Sequence, residues 1–318
     1  MHVRSDRTSK VVGYLMVFGA ALAFSLIGPI GRYPLAQGMD PIECAFWRAA
    51  FGGIFFGIHG LLTGAWRITA GQRTVFSLFG IPGVAMLFFT YMFAVQEAGA
   101  ATTSVLNNTA PIWVAVWSYL FFKEAMGGSK IFAIGLAIAG SGMIALSGGG
   151  MPEGGSAIGI IAAAGSGFLF SLHSLIGKKY LSANVSSVSL YMHILPIGAL
   201  CMFPFVDFMP GKTWGTWVSL ITLGLVCNWG AYLCFCAGLK RLPATRVAVF
   251  ETACEPFLAA VFAFIWWGEA FTIIGGIGAV LVIGAVVMII SVKDKPQQSR
   301  SGLPAKPEAG DGPECKSA

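Results

Sequence analysis

The chain alternates long apolar runs with short polar or glycine-bearing breaks, and each run approaches the roughly 20 residues a helix needs to cross a bilayer. The runs lie at 11–30, 42–62, 74–96, 100–122, 130–147, 157–177, 186–206, 215–238, 244–267 and 270–291. They predict an all-α polytopic membrane protein with ten transmembrane helices. The breaks after the fourth and ninth runs hold few polar residues, so the count rests most heavily on them. Beyond Ser291 the composition turns to Lys, Pro, Gln, Ser, Gly and Glu, which predicts a disordered tail over 292–318. Arg4, Arg7 and Lys10 precede the first run, and Ala21-Leu22-Ala23 imitates a signal-peptide cleavage site. The internal repetition described below argues that this segment is retained.

Composition agrees. Charged residues make up 11% of the chain, against roughly 25% in an ordinary soluble domain. Hydrophobic residues reach 56% and mean hydropathy is +0.76, more apolar surface than a water-soluble fold hides, so lipid is the solvent for most of it. The 42 glycines suit close helix contact in lipid. A net charge of +6 does not point to nucleic acid, because the cations stand singly or in pairs between apolar runs. The cysteines (Cys44, Cys201, Cys227, Cys234, Cys236, Cys254 and Cys315) lie mostly inside apolar runs and read as small packing residues. Cys234-x-Cys236 has neither metal-ligand nor redox spacing, and no His, Cys or carboxylate cluster implies a metal or cofactor.

Charge placement sets the orientation. With the N-terminus cytoplasmic, 17 of the 20 Lys and Arg fall in cytoplasmic segments. Arg32 and Lys212 alone fall in outer loops, and Arg48 lies within a helix. The alternation needs an even number of spans and predicts both termini on the cytoplasmic side of a bacterial-type inner membrane.

The sequence also matches itself at a displacement near 145. Phe24-Ser25 and Ile30-Gly31-Arg32 correspond to Phe170-Ser171 and Ile176-Gly177-Lys178, Pro111 to Pro256, and Glu124 to Glu269. The predicted organisation is a cytoplasmic tail 1–10, a five-helix repeat 11–147, a periplasmic linker 148–156, a second repeat 157–291 and the tail 292–318. An odd number of spans per repeat turns the second copy upside down. Inverted repeats are the architecture of many secondary transporters, in which exchanging the halves' conformations gives alternating access to a central site.

Phe46-Trp47-Arg48-Ala49, Asn108-Thr109-Ala110-Pro111 with Lys123-Glu124, and Cys254-Glu255-Pro256 with Gly268-Glu269 carry a family resemblance. Glycines in each repeat's last span (Gly135, Gly140; Gly278, Gly284) extend it. Over residues 12–291 the chain resembles EamA-type members of the drug/metabolite transporter superfamily. The resemblance implies ten helices, cytoplasmic termini, and export or facilitated movement of small metabolites such as amino acids; it does not fix the solute.

Ionisable groups inside a membrane are costly and are functional candidates by default. Glu251 and Glu255, at i and i+4 in the ninth span, share a helical face with Cβ atoms roughly 6 Å apart. Pro256 leaves the carbonyl of Thr252 without its usual intrahelical donor. Two carboxylates and a free carbonyl suit a cation, an amine or a proton, and carboxylates that close suit proton exchange. The plainer reading of Glu255 is structural. The counterpart in the fourth span is Ser104, Asn107, Asn108 and the kink at Pro111. Adjacent amides cannot both face lipid, so at least one faces a cavity or another helix. Two amides opposite two carboxylates predict a polar, asymmetric cavity that favours a zwitterionic or cationic solute.

Arg48 lies about two turns from the outer end of its span and can pair with a substrate carboxylate, with Glu43 or Glu251, or snorkel outward. The family's frequent Trp-Arg pair implies a structural or gating role. Asn228, Tyr232 and Phe235 share a face of the eighth span with Trp229 adjacent, and Phe88, Tyr91 and Gln96 offer similar groups in the third. These can stack on an aromatic or cationic solute, or simply pack. His193 matches Trp47 at a displacement of 146 and, with His59 and His173, reads equally as a packing residue. Glu124 and Glu269 read as caps at opposite membrane surfaces. Gly53-x-x-x-Gly57 and Gly135-x-x-x-Ala139 suit helix packing within one chain or in a homodimer.

The leading functional expectation is an exporter of amino acids or related metabolites. The alternative is a proton-coupled efflux carrier for organic cations. A membrane enzyme or receptor is disfavoured, because no HExxH, GxSxG or glycine-rich nucleotide loop lies at a membrane face.

Overall fold

The computed structural model describes residues 2–122, 127–147, 156–183, 185–267 and 273–291, and among these it is helical with connecting turns and no strands. The first unit comprises α1 (His2–Ser25), α2 (Ile27–Ala36), α3 (Pro41–Thr63), α4 (Ala70–Gly80), α5 (Leu87–Asn107), α6 (Ala110–Phe122) and α7 (Gly128–Ser147). The second comprises α8 (Ala157–Ser182), α9 (Ser187–Met202), α10 (Trp214–Gly224), α11 (Ala231–Arg241), α12 (Ala244–Trp267) and α13 (Ile273–Ser291). Among the described residues, six stretches are long and apolar enough to cross a membrane, the first Thr8–Ala36 and the last Trp214–Arg241. Ala110–Phe121, Gly128–Met143 and Ile273–Ile289 are shorter apolar helices. In α13, Ile273, Val280 and Val287 recur every seven residues and are 84%, 68% and 58% exposed, a stripe suited to lipid.

Local chemistry explains the breaks. Pro29 has no N–H for the carbonyl of Ser25, and the chain turns at Leu26 between α1 and α2. Asp40 accepts from the Ile42 N–H at 2.9 Å ahead of α3. Thr69 and Thr213, 144 positions apart, cap α4 and α10, each accepting from the N–H three residues on. The same displacement separates two π-helical turns, Ile81–Met86 between α4 and α5 and Leu225–Gly230 between α10 and α11.

The predicted boundary between the third and fourth spans takes an unexpected form. Helical backbone continues through Asn107 and turns at Asn108–Thr109, yet its neighbours on α8 reverse in order. Gly83 O meets His173. A Cβ on Gly159 would lie 2.7 Å from Glu97 Cβ, and one on Gly167 would lie 2.9 Å from Asn107 O. Trp117 then meets Ser171. The chain therefore doubles back near Ala98.

Close contacts across the halves come in matched pairs. A Cβ at Gly80 would stand 2.7 Å from Ile197 Cγ2, and one at Gly224 2.3 Å from Phe51 Cβ. Gly52 faces Asn228 and Gly198 faces Val84, at 2.7 and 2.4 Å by the same measure. Gly13 faces Leu242 as Gly159 faces Ala98. Each contact recurs with the halves exchanged, as a two-fold relation between inverted repeats requires. Larger interfaces follow suit: α3 packs on α9, α7 on α13, and α1 on α11 as α8 on α5.

Gly224→Ala is expected to destabilise the fold by about 1–3 kcal/mol, because its Cβ would also meet Gly52 N and Phe51 C, backbone atoms that cannot rotate away. Gly57→Ala, with nothing within 4 Å, is the neutral control. Thermal unfolding in detergent, followed by size-exclusion, compares the two.

One contact is duplicated in place but not in chemistry. On α9, Ser189 Oγ donates to Ala65 O of the α3–α4 connection. At the matching position on α3, Glu43 grips the α9–α10 connection, accepting from Met209 N–H at 2.9 Å and pairing with Lys212 Nζ at 2.7 Å. Trp47 Nε1–H also donates to Glu43, at 3.0 Å. Lys212 lies 5.6–5.9 Å from the rings of Trp47, Phe208 and Trp217, and it donates to Met209 O. This strap fixes the start of the helix that carries Arg48.

Candidate functional site

A polar-lined cavity lies where the halves meet. Its first-half lining comes from Phe24, Ile27, Arg48, Phe88, Tyr91 and Asn107. The second half supplies Phe170, Tyr232, Glu251 and Glu255.

Arg48 is 4% exposed. Its Nε–H donates to Asn228 Oδ1 at 3.0 Å, while Asn228 Nδ2 donates back to the Arg48 carbonyl at 2.7 Å. The guanidinium carbon lies 4.1 Å from the centroid of Phe88, a cation–π contact. The strap claims Glu43, so the anticipated Glu43–Arg48 pair does not form. Asn228 is neutral and holds Arg48 without cancelling its charge. Among the described residues no hydrogen-bond acceptor meets the two terminal amino groups of Arg48; the residue lines the cavity together with Glu255, whose carboxyl group lies near enough to feel its charge.

Glu251 and Glu255 stand one turn apart on α12, and both line the cavity. The anticipated free carbonyl of Thr252 is not available, because Ser141 Oγ of α7 donates to it at 3.3 Å. The proline break is thus satisfied structurally, and the carboxyl pair faces the cavity without it. Asn107 shares the lining, and Ser166 Oγ meets its side-chain oxygen at 3.1 Å. Tyr91 and Tyr232 supply aromatic faces from opposite halves.

The other sequence candidates lie elsewhere. Asn228 is fully buried behind Arg48. Asn108 is buried at the α5–α6 turn, its Nδ2 lacking a partner among the described residues. Trp229 Nε1–H donates to His59 Nδ1 at 3.3 Å. His193 Nδ1–H donates to Ser189 O at 2.7 Å, beside Phe76. Pro111 opens α6 just after the turn, whereas Pro256 lies inside α12. Glu124 and Glu269 fall outside the described residues.

Sequence reasoning did not assign Phe24 and Phe170 to the lining, although their duplication was visible. The two rings meet edge to face, centroids 6.4 Å apart at 88°. Phe88 entered only as a stacking candidate, with no sign that Arg48 would rest on it.

Two inverted helical units enclosing a cavity with both charge types between membrane-spanning helices define a polytopic membrane transporter for a small molecule. The chain belongs to the EamA-like transporter family, whose model matches residues 11–146 and 157–291. Among its relatives is an uncharacterized transporter of Archaeoglobus fulgidus, 26% identical over 261 residues that cover 75% of this chain and 85% of the relative. Another is the uncharacterized inner membrane transporter YicL of Salmonella typhimurium, 20% identical over 87% of this chain and 94% of that one. One crystal structure superposes with a TM-score of 0.72 at 19% identity, covering 88% of this chain and 97% of the other, and shares the fold.

Proposed function

We propose that the chain is a secondary transporter exporting amino acids, or related small zwitterionic metabolites, by alternating access. It would work in a bacterial-type inner membrane with both termini cytoplasmic. The observation that carries this reading is Arg48, which lines the same cavity as Glu251 and Glu255 and whose terminal amino groups meet no hydrogen-bond acceptor among the described residues. A guanidinium fork suits a carboxylate, a carboxyl pair suits an ammonium group, and the aromatic walls accept an apolar side chain. A solute bearing both charges satisfies both groups at once; a simple organic cation would compete with Arg48 for the carboxyl groups and leave its terminal amino groups without an acceptor. The charge alternation along the chain and the name of the Salmonella relative support the membrane assignment. Efflux of organic cations is the second reading, favoured by the carboxyl pair and the aromatic walls.

Purified protein in liposomes, offered each radiolabelled amino acid or tetraphenylphosphonium with and without a pH gradient, tests both readings. Saturable amino-acid flux is expected; tetraphenylphosphonium flux alone would replace the first reading with the second. Glu251→Gln is expected to reduce gradient-driven accumulation about tenfold while downhill zwitterion flux persists. An unchanged response to the gradient would remove the carboxyl pair from coupling.

A further inference from the structure

His173 on α8 is a titratable group that this scheme does not use, 1% exposed and packed against the lining residues Phe170 and Tyr232. Its Nδ1 lies 2.7 Å from Gly83 O and its Nε2 2.8 Å from the Tyr191 hydroxyl. A carbonyl oxygen only accepts, so Nδ1 carries the hydrogen, and Nε2 of the neutral ring accepts from Tyr191 O–H. Gly83 belongs to the π-helical turn Ile81–Met86, where the wider i→i+5 turn shifts carbonyls out of ordinary α-helical pairing. The helix leaving that turn presents Leu87, Phe88 and Tyr91 to the cavity. On the other side, the Tyr191 ring stacks on Tyr232, centroids 4.4 Å apart at 18°, and His173 stacks on Tyr232 at 5.0 Å and 27°. The second π turn has its own tie in the Arg48–Asn228 pair. Each turn is therefore held by a polar side chain from the opposite half.

We propose that His173 is a positioning residue, braced between the first π turn and Tyr191, that sets the separation of the Phe88–Tyr91 wall from the Tyr232 wall. It acts on the solute only through those walls. The inference rests on this cavity being the solute site, so its test includes a measurement that does not involve transport.

The variants are His173→Phe, which keeps a stacking ring and loses both hydrogen bonds, and Tyr191→Phe, which loses one. Hydrogen exchange in lipid nanodiscs should rise about tenfold across residues 84–91 in His173→Phe, less in Tyr191→Phe, and no further in the double variant. Half-saturation for uptake of a radiolabelled mixture of the twenty common amino acids should rise about tenfold, with the maximal rate within about twofold of the parent. Unchanged or evenly spread exchange overturns the brace, as does loosened exchange with unchanged half-saturation. Should His173→Phe fail to fold, 15N-histidine spectra of the unmodified protein decide: the Nδ1–H tautomer supports the brace, and the Nε2–H tautomer overturns it. If the unmodified protein carries none of the mixture, the amino-acid reading fails, while exchange and tautomer still judge the brace.

Discussion

Arg48→Met is expected to lower zwitterion transport about 100-fold or more. Two charge-assisted hydrogen bonds to a carboxylate, each about 1.5–3 kcal/mol, disappear with the guanidinium. The substitution also strands Asn228, whose side-chain oxygen receives the Arg48 Nε–H inside a fully buried site. Transport loss must therefore be separated from misfolding. The double variant Arg48→Met with Asn228→Leu removes both buried polar partners, and it should recover stability without recovering transport. Arg48→Lys retains a charge but not the fork, and should fall between the two. Transport of a zwitterion by a stable double variant at the parental rate would end the assignment of Arg48 to the solute carboxylate.

Lys212→Met is expected to cost about 3–5 kcal/mol of stability, because it leaves Glu43 charged and buried with only two of its partners. The side chains of Lys212 and Glu43 are 7% and 0% exposed, so water does little to replace the missing ammonium. Lys212→Met with Glu43→Leu should regain most of the loss, since removing both charges removes the uncompensated one. The substitution has no analogue in the other half, as Ser189 makes the matching contact with a hydroxyl alone. Thermal unfolding measures the energies, and Trp47 and Trp217 fluorescence reports whether the strap detaches. A single variant as stable as the parent would show that the pair only decorates the loop.

How much could be read beforehand differs from residue to residue. Glu251, Glu255, Asn107 and Arg48 are legible as candidates because polar groups inside apolar runs are rare and costly, Tyr91 and Tyr232 because they offer aromatic faces, and all six border the cavity. Asn228 met the same criterion and proved to be support for Arg48. Rarity shows that a polar group needs a partner; it does not reveal whether that partner is a solute or another side chain. Thr252 makes the same point, since Pro256 announces a freed carbonyl but only the packing of α7 brings Ser141 to it.

The π turns had no sequence signature that was read, although both sit at equivalent positions of the repeat. Likewise His173 looked like any packing histidine, because its partners Gly83 and Tyr191 come from other helices.

Solvent preference and repetition are properties of the chain itself, which is why membrane residence, helical class and the inverted duplication were determined by the amino acids in order. Residues matched at a displacement near 145 mark the duplication in the chain itself, before any contact is known. The pairing of helices was decided only in three dimensions, and with it the lining of the cavity, the partners of Arg48 and the claim of Lys212 on Glu43. Those depend on which side chains meet across distances of 50 to 180 positions, and hydrophobic periodicity is blind to contacts of that range.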